Sequence, residues 1–337
     1  MSRPLRLLLR ALTVLALSAC LSVAAKPATD YAERRDVRAF ISQMVDKHGF
    51  ARNELQQLFS RARFKPEVIA AITPPSAPRA RSWQAYRALF LTPERVEAGV
   101  EFRGQERAAL ARAAELYGVP EEIIVAIIGV ETVYGRNTGS YRVIDALTTL
   151  AFDYPPRAKY FRGELENYLL YARAAGIDIL AIKGSYAGAI GIPQFMPGSY
   201  LRYAVDLDGD GQPDLSNSFA DAIGSVANYL KQHGWETGRP VAYPAQVQGQ
   251  GHRELVDAGI KPAYRYGELA SLGVSAAGVA DADALCALIE LATPDNASEY
   301  LVAFNNFYML TRYNRSSMYA TAVLELAQAV KAAYQPD

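Results

Sequence analysis

The feature of this sequence that most constrains its fold is residues 119–131, a helix-forming segment that is mostly apolar and ends in a glutamate. A proline and two acidic residues open it, which is typical of the first turn of a helix. Ile124, Ile127 and Ile128 form one apolar stripe at helical spacing, and Glu131 continues that stripe at i+7. The sequence therefore predicts a helix that holds the Glu131 carboxyl group on its buried face.

A carboxyl group in that position favours general-acid chemistry. Loss of water and the negative end of the helix dipole both raise the pKa of Glu131. A carboxylic acid that stays protonated near neutral pH can donate a proton to a substrate. The alternative is a structural glutamate whose charge is satisfied by nearby donors, and the other motifs of the chain bear on that choice.

Residues 1–19 have the pattern of a secretory signal peptide, with three arginines before or within an apolar run too short to span a bilayer comfortably. The run ends in Leu17-Ser18-Ala19-Cys20, which resembles the lipobox of bacterial lipoproteins, where the cysteine is lipidated. Because Leu21 and not aspartate follows, we expect a lipid anchor on the periplasmic face of the outer membrane, with residues 20–30 as a tether. The alternative is a plain signal peptide cut near Ala24.

The composition is that of an ordinary soluble globular protein, with half of its residues apolar and about a fifth charged. Its 35 basic and 35 acidic residues give no basic field, so nucleic acid is not an expected partner. The apolar neighbours of Cys286 predict a buried thiol, and with Cys20 lipidated this thiol has no disulfide partner. We expect a monomer.

After the tether, the sequence divides into four parts of different character. Two are mainly helical, the third is rich in Gly, Pro, Val and Tyr with short strand-like runs and no helical periodicity, and the last ends in a helix. In order, they are residues 31–118, 119–236, 237–304 and 305–337. We therefore predict a mainly α fold, of the α+β type, with a small β-rich insertion.

Individual elements follow from the same patterns. Val37, Phe40, Ile41 and Met44 repeat at helical spacing near the start of the first part. A long helix is predicted from Pro93 to Gly118, and the final helix from about Met318 to Ala333. Strands are predicted over 285–292 and 300–304.

An acidic, glycine-rich turn matches the front half of an EF-hand calcium loop. Asp206, Asp208 and Asp210 supply oxygen ligands at positions 1, 3 and 5, a glycine takes position 6, and Gln212 offers its backbone carbonyl at position 7. Position 12 is asparagine and not the bidentate glutamate, and the next acid beyond it is Asp221. The sequence favours a structural calcium site over a solvated turn without metal.

The glycine-rich segment 183–197 combines backbone freedom with polar and aromatic groups. Ser185 and Gln194 offer hydrogen bonds, and Tyr186 and Phe195 offer ring faces, a lining that suits a sugar. The alternative is a glycine-rich helix contact without a ligand. Residues 304–315 are also rich in aromatic and amide side chains. Such a composition is more common in a hydrophobic core and on the protein surface than in the wall of a ligand-binding site.

Other chemistries have little support. The chain has three histidines and no His-Glu-x-x-His pair, no Gly-x-Ser-x-Gly elbow, no phosphate loop and no paired cysteines at metal spacing. A serine hydrolase, a zinc enzyme and a nucleotide-dependent enzyme are therefore not expected.

Together these motifs resemble the membrane-bound lytic murein transglycosylase B family, exported enzymes that cut bacterial peptidoglycan. The resemblance covers most of residues 35–334 and rests on four motifs in order, at 129–135, 184–197, 221–229 and 306–314. It implies a lysozyme-like helical core, a helical domain packed on it and a small inserted β domain. It also implies peptidoglycan glycan strands as the binding partner.

The resemblance carries site residues over to this chain. It implies Glu131 as the catalytic acid and Arg157 as a contact to peptidoglycan. It implies a sugar cleft lined by Ser185, Gln194, Phe195, Met196, Tyr229, Tyr313, Asn314 and Tyr319. The family's calcium loop closes with the aspartate that matches Asp221, although Asp214 could compete with it.

The resemblance also implies a mechanism. Glu131 protonates the glycosidic oxygen between N-acetylmuramic acid and N-acetylglucosamine and then accepts the O6 proton, so that O6 attacks C1 and no cofactor takes part in the chemistry. No second acid lies in the cleft motifs. The alternatives are a hydrolytic muramidase, which admits water, and a peptidoglycan-binding lipoprotein without catalysis.

Overall fold

The computed structural model describes residues 30–73, 82–294 and 296–335, so the predicted signal peptide, Cys20 and all but the last residue of the tether lie outside the described residues. The described chain forms fifteen α-helices: α1 (Arg35–His48), α2 (Arg52–Arg61), α3 (Pro66–Ile72), α4 (Trp83–Arg87), α5 (Pro93–Gln105), α6 (Arg107–Tyr117), α7 (Glu121–Thr132), α8 (Val143–Asp153), α9 (Ala158–Ala175), α10 (Pro197–Tyr203), α11 (Phe219–His233), α12 (His252–Asp257), α13 (Tyr266–Ser271), α14 (Asn305–Tyr313) and α15 (Ser317–Ala333). Its seven strands are β1 (Tyr141–Arg142), β2 (Lys183–Gly184), β3 (Ala242–Val247), β4 (Tyr264–Arg265), β5 (Val274–Ala276), β6 (Leu285–Leu291) and β7 (Glu299–Ala303). The predicted mainly α fold is confirmed.

The first helices join the rest of the molecule through one aromatic cluster. The predicted apolar stripe of α1 is buried, and its Phe40 meets Phe59 of α2 and Phe152 of α8 edge-on, with ring centroids 6.0 and 5.9 Å apart. Next to them, Tyr31 and Arg34 both donate hydrogen bonds to the Asp153 carboxylate, each at 2.6 Å. Residues far apart in the sequence therefore share one continuous core.

The single long helix predicted from Pro93 to Gly118 was wrong, because the chain forms two helices, α5 and α6, with a break at Glu106. The backbone of Glu106 leaves helical geometry with φ −99° and ψ 19°. Both halves pack on α7, but α5 otherwise packs on α15 and α6 on α11, so the two halves need different directions. The predicted end at Gly118 is confirmed, because Gly118 adopts a left-handed backbone with φ 71°.

Helix α7 lies at the centre of the molecule. The sequence predicted one buried stripe, but every residue from 123 to 130 is buried, because α5, α6, α11 and α15 surround the helix. Its interior glycine allows a further close contact, with the turn that follows the helix, because a Cβ on Gly129 would lie 2.6 Å from the Tyr134 ring. The end of α7 is therefore fixed within tightly packed side chains.

The β-rich unit is an antiparallel sheet with strand order β4-β6-β7-β3-β5. A second hydrophobic cluster lies on it, separate from the main core. Cys286 is fully buried in that cluster as a free thiol, as predicted. Where each domain of the chain begins and ends stays a prediction.

Two short helices, α12 and α13, lie between residues 237 and 280, where the sequence shows no helical periodicity. Each has six residues, and Leu255 in α12 and Leu269 in α13 are their buried aliphatic side chains. A helix of fewer than two turns is too short to show a repeating apolar pattern. None of the described helices is long and apolar enough to cross a membrane.

Candidate active site

The end of α7 carries Glu131 into a cleft. After Thr132 the backbone of Val133 and Tyr134 takes left-handed φ values of 52° and 58°, which turns the chain sharply away. The Thr132 hydroxyl donates a hydrogen bond to the Ile192 carbonyl oxygen at 2.8 Å and accepts one from the Gly135 N–H at 3.0 Å. One buried hydroxyl therefore fastens the glycine-rich segment 184–196 beside Glu131.

The Glu131 carboxyl group is held by one tyrosine. The Tyr319 hydroxyl donates a hydrogen bond to Glu131 Oε1 at 2.6 Å. Loss of solvent raises the pKa of Glu131 from 4.5 to about 7, while the Tyr319 hydrogen bond lowers it. Among the described residues no second carboxylate influences this pKa. Glu131 can thus hold its proton near neutral pH, as the sequence predicted, and burial is the main cause.

Aromatic rings line the cleft beside the carboxyl group. Tyr313 stacks on Tyr319 with an interplanar angle of 12° and meets Tyr229 with ring centroids 4.9 Å apart. Phe195 lies 5.5 Å from Tyr229, centroid to centroid. The structure therefore brings four of the predicted cleft residues together next to Glu131.

The hydroxyl groups of these tyrosines are held by the main chain. Tyr313 donates a hydrogen bond to the Pro193 carbonyl oxygen and Tyr229 to that of Arg312, both at 2.6 Å. The rings cannot rotate out of place without breaking these bonds, so the wall is rigid before any ligand binds.

Ser185 and Gln194 lie on the glycine-rich segment with polar atoms available. Gln194 adopts φ 53°, and its side-chain amide donates to the carbonyl oxygens of Thr138 and Gly191 at 3.0 and 2.9 Å. Its amide oxygen then remains to accept a hydrogen bond. The Ser185 hydroxyl oxygen accepts two backbone N–H groups, at 3.0 and 3.3 Å, so its own proton remains to be donated.

Three further predicted residues lie at the edge of this arrangement. Met196 is half-buried directly before α10, and Asn314 is exposed directly after α14. Arg157 is exposed and lies over the ring of Tyr160 at 4.6 Å. The structure gives Arg157 no direct contact with the Glu131 cluster.

Comparison with known proteins identifies the family. The family described as Transglycosylase SLT domain matches residues 32–328. The membrane-bound lytic murein transglycosylase B of Escherichia coli (strain K12) is 45% identical over 310 residues, 89% of this chain and 84% of that protein. The chain belongs to this family of lytic transglycosylases.

Solved structures agree with this assignment. Soluble lytic transglycosylase SltB1 from Pseudomonas aeruginosa superimposes with a TM-score of 0.83 at 47% identity, over 88% of this chain and 99% of that one. Escherichia coli lytic transglycosylase Slt35, solved in complex with calcium, superimposes with a TM-score of 0.80 at 44% identity, over 90% of this chain and 95% of that one. SltB3 from Pseudomonas aeruginosa, solved in complex with NAG-anhNAM-pentapeptide, superimposes with a TM-score of 0.76 at 30% identity, over 88% of this chain and 79% of that one. The predicted lysozyme-like fold is confirmed.

Two aromatic residues near the cleft of this lytic transglycosylase were not predicted from its sequence. Tyr86 in α4 lies close enough to Tyr319 to raise the pKa of that hydroxyl, although burial and Glu131 have larger effects. Tyr160 in α9 is 42% exposed and influences the pKa of Tyr229. Both residues lie in helices that are distant in sequence from the cleft motifs, so no local pattern marks them.

The acidic loop of this lytic transglycosylase gathers three carboxylates. One oxygen each of Asp206, Asp208 and Asp210 lies within 4.8 Å of the others. Asp206 accepts backbone hydrogen bonds from Gly209, Asp210 and Gly211, and these bonds lower its pKa. Oxygen-only donors on a tight loop match the ligands that calcium prefers.

Asp221 lies outside that group of three. It is fully buried at the start of α11, and its carboxylate accepts the N–H groups of Leu207 and Asp214 at 2.7 and 2.8 Å. The backbone N–H of Gln212 donates to Asp210. In this arrangement Asp221 holds the two ends of the acidic loop together.

The acidic loop is connected to the cleft by hydrogen bonds. The Ile192 N–H donates to the Leu215 carbonyl oxygen at 2.8 Å. The Tyr200 hydroxyl donates to the Pro213 carbonyl oxygen at 2.9 Å and accepts the Leu215 N–H at 3.2 Å. Since Thr132 binds the Ile192 carbonyl oxygen, a short chain of contacts links the loop to the end of α7.

Proposed function

We propose that this lytic transglycosylase cuts the β-1,4 bond between N-acetylmuramic acid and N-acetylglucosamine in peptidoglycan and leaves 1,6-anhydromuramyl ends. The observation that carries the proposal is the single carboxyl group of Glu131, half-buried beside an aromatic wall and with a pKa of about 7. The names of the relatives support the substrate, since one is a lytic murein transglycosylase and another was solved with NAG-anhNAM-pentapeptide.

In the first step, protonated Glu131 gives its proton to the glycosidic oxygen, and the bond from that oxygen to C1 of muramic acid breaks. The N-acetylglucosamine leaves as an alcohol, and C1 becomes electron-poor. Glu131 is then a carboxylate, and the Tyr319 hydrogen bond stabilises this charge. A pKa near the operating pH lets one group serve as acid and then as base.

In the second step, the Glu131 carboxylate takes the proton of the muramyl O6 hydroxyl, and O6 forms a bond to C1. Glu131 ends protonated, ready for another cycle, and no water is consumed. The substrate's own N-acetyl group stabilises the electron-poor centre. Ordinary glycosidases use a second carboxylate for the base or nucleophile, and its absence around Glu131, among the described residues, supports the internal O6 attack.

The cleft residues bind and orient the sugar. Tyr313 is partly exposed and offers its ring to the apolar face of a pyranose ring, and the buried rings of Phe195 and Tyr229 support it. The Gln194 amide oxygen and the Ser185 hydroxyl proton are free to bind hydroxyl and acetamido groups. In this proposal Met196, Asn314, Tyr319 and Arg157 complete the contacts to peptidoglycan.

Product analysis tests the reaction. Purified sacculi digested in water labelled with oxygen-18 should release muropeptides that end in 1,6-anhydromuramic acid, lighter by one water than hydrolysis products and without label. Glu131→Gln should lower the rate at least about a hundredfold, because the amide cannot transfer the proton. Labelled reducing ends would indicate a hydrolase, and an active Gln variant would indicate that the acid lies elsewhere.

The melting temperature of the Glu131→Gln variant shows whether the variant is folded and whether the pKa of Glu131 is raised in the parent. Native Glu131 keeps its proton up to a pKa of about 7, whereas the unfolded chain loses it near 4.5, so ionisation costs the parent stability as pH rises through this interval. The Gln variant should therefore melt at a higher temperature than the parent at pH 8. The difference should disappear below pH 4.5.

We propose further that calcium binds Asp206, Asp208 and Asp210 and stabilises the fold without entering the chemistry. The three clustered carboxylates and the oxygen-only donor set support this ion. The Gln212 carbonyl and Asp221 complete the proposed site, Asp221 by holding the loop closed. A relative of this chain was solved in complex with calcium.

We propose that Cys20 is lipidated and anchors the enzyme to the periplasmic face of the outer membrane. The lipobox-like sequence before Cys20 and the absence of aspartate after it support this position. The Escherichia coli relative is named as membrane-bound.

A further inference from the structure

A second cavity lies where the β-rich unit meets the helical core. Its volume is about 560 Å³, and none of the proposed cleft residues lines it. Tyr243, Phe304 and Tyr308 contribute aromatic rings, and Tyr243 meets Phe304 edge-on with centroids 6.0 Å apart. The cavity is large enough for several residues of a peptide.

The charged residues of the cavity suit a ligand that carries both positive and negative charges. Arg239 and Lys261 are exposed, and within the described part of the chain neither side chain has an ion pair or hydrogen bond. Glu236 and Asp281 also line the cavity. Asn305 donates a hydrogen bond to Glu236, and the Asp283 N–H donates one to Asp281, so both carboxylates are held in place. The lining can therefore bind carboxylates and amines.

One face of α14 connects this cavity to the Glu131 cleft. Asn305, Tyr308 and Arg312 follow each other at helical spacing and are at least partly exposed, whereas the residues between them are buried. Asn305 and Tyr308 line the cavity, and Arg312 lies over the Tyr308 ring at 5.9 Å. The Arg312 carbonyl oxygen accepts the Tyr229 hydroxyl of the cleft wall at 2.6 Å. The path from Asn305 to Arg312 is about 10 Å long at the rise of an α-helix.

We propose that this cavity binds the peptide that branches from muramic acid while the glycan strand lies in the Glu131 cleft. The inference rests on the proposed function, since it needs peptidoglycan as the substrate. An extended pentapeptide spans about 17 Å, which exceeds the length of the α14 path. Peptide carboxylates then meet Arg239 and Lys261, free amines meet Glu236 and Asp281, and small apolar side chains meet the rings.

Binding measurements with two ligands test the proposal. NAG-anhNAM-pentapeptide and peptide-free NAG-anhNAM both lack the bond that the enzyme cuts, so titration calorimetry can use the parent enzyme. The pentapeptide ligand should bind about tenfold more tightly, because two exposed charge pairs and apolar contacts add to the sugar contacts. The double variant Arg239→Gln, Lys261→Gln should lose most of this advantage, and its Kd for the peptide-free ligand should match that of the parent.

Arg253→Gln is the matched control, since Arg253 is an exposed arginine of the same unit that does not line the cavity. It should retain the full preference for the pentapeptide ligand. An unchanged preference in the double variant would overturn the proposal, as would equal binding of the two ligands by the parent. Failure of the proposed function would appear instead in the labelled-water products, which do not depend on these Kd values.

Discussion

Tyr319 lowers the pKa of Glu131 through one hydrogen bond, against the larger effect of burial. Burial raises the pKa of Glu131, and the Tyr319 hydroxyl opposes that effect by stabilising the charged form. The proton that starts the proposed reaction is present below this pKa and lost above it. The pH above which kcat/KM falls, the alkaline limit of activity, therefore depends on the contact between these two residues.

Tyr319→Phe should move the alkaline limit of kcat/KM upward by roughly one pH unit. The lost hydrogen bond to a charged group contributes about 1.5 kcal/mol, and one pKa unit corresponds to about 1.4 kcal/mol. A pH–rate profile from pH 5 to 9 on purified sacculi measures this shift.

Tyr313→Phe is the control for that experiment, because the Tyr313 hydroxyl binds the Pro193 carbonyl oxygen and not Glu131. It should leave the alkaline limit where it is in the parent. A limit that stays in place in Tyr319→Phe as well, or moves downward, would contradict the role given to Tyr319.

Sequence reasoning located Glu131 because a helical pattern places a residue on a face from local information alone. The same pattern did not predict the surroundings of the helix, which four other helices bury. Tyr86 could not be predicted, because its approach to Tyr319 depends on how α4 packs on α15. Long-range packing decides such contacts, and no spacing in the sequence encodes them.

At the scale of elements, the acidic loop and the cleft segment are neighbours that share hydrogen bonds. Leu215 follows the loop directly and binds Ile192, which in turn binds Thr132 at the end of α7. An ion that orders the loop therefore also restrains the segment that carries Ser185 and Gln194. The predicted effect is on stability first, since no loop carboxylate reaches the chemistry.

Calcium should raise the melting temperature in a concentration-dependent way. At a hundredfold excess over Kd, binding to the native state adds about 2.7 kcal/mol, or roughly 5 °C for a chain of this size. Differential scanning calorimetry with and without calcium measures the shift.

Asp206→Ala should abolish that response, whereas Asp46→Ala, which removes an exposed carboxylate of α1, should retain it. A melting temperature that does not move at millimolar calcium in the parent would disprove the site. Equal responses in the two variants would place the ion elsewhere.

Element boundaries were predictable where a single residue decides them and not where packing does. Gly118 ended a helix as predicted because its left-handed backbone favours glycine. The break at Glu106 has no such marker, and it follows from packing, because α5 packs on α15 whereas α6 packs on α11. The short helices α12 and α13 stayed hidden because each has fewer than two turns.

At the scale of the whole molecule, the proposed lipid anchor would decide where the enzyme meets its substrate. Cys20→Ala should release the protein from the membrane fraction into the soluble periplasm, because the lipid no longer holds it. Fractionation of cells and immunoblotting measure the distribution.

Cys286→Ala serves as the comparison, since Cys286 is buried and cannot be lipidated in the folded protein. It should fractionate with the membrane as the parent does. If Cys20→Ala also remains there, the lipobox interpretation fails.

The central position of α7 determines how activity disappears under stress. Its backbone N–H groups, enclosed on every side, exchange with solvent when the whole molecule opens and not when surface loops fluctuate. The proposed catalytic carboxyl group thus stands at the end of the segment that we expect to open last. Loosening of the β-rich unit leaves the helices around Glu131 in place, so we expect inactivation by heat to coincide with cooperative unfolding of these helices. The loss of sacculus digestion on heating should therefore fall in the same temperature range as the calorimetric unfolding transition.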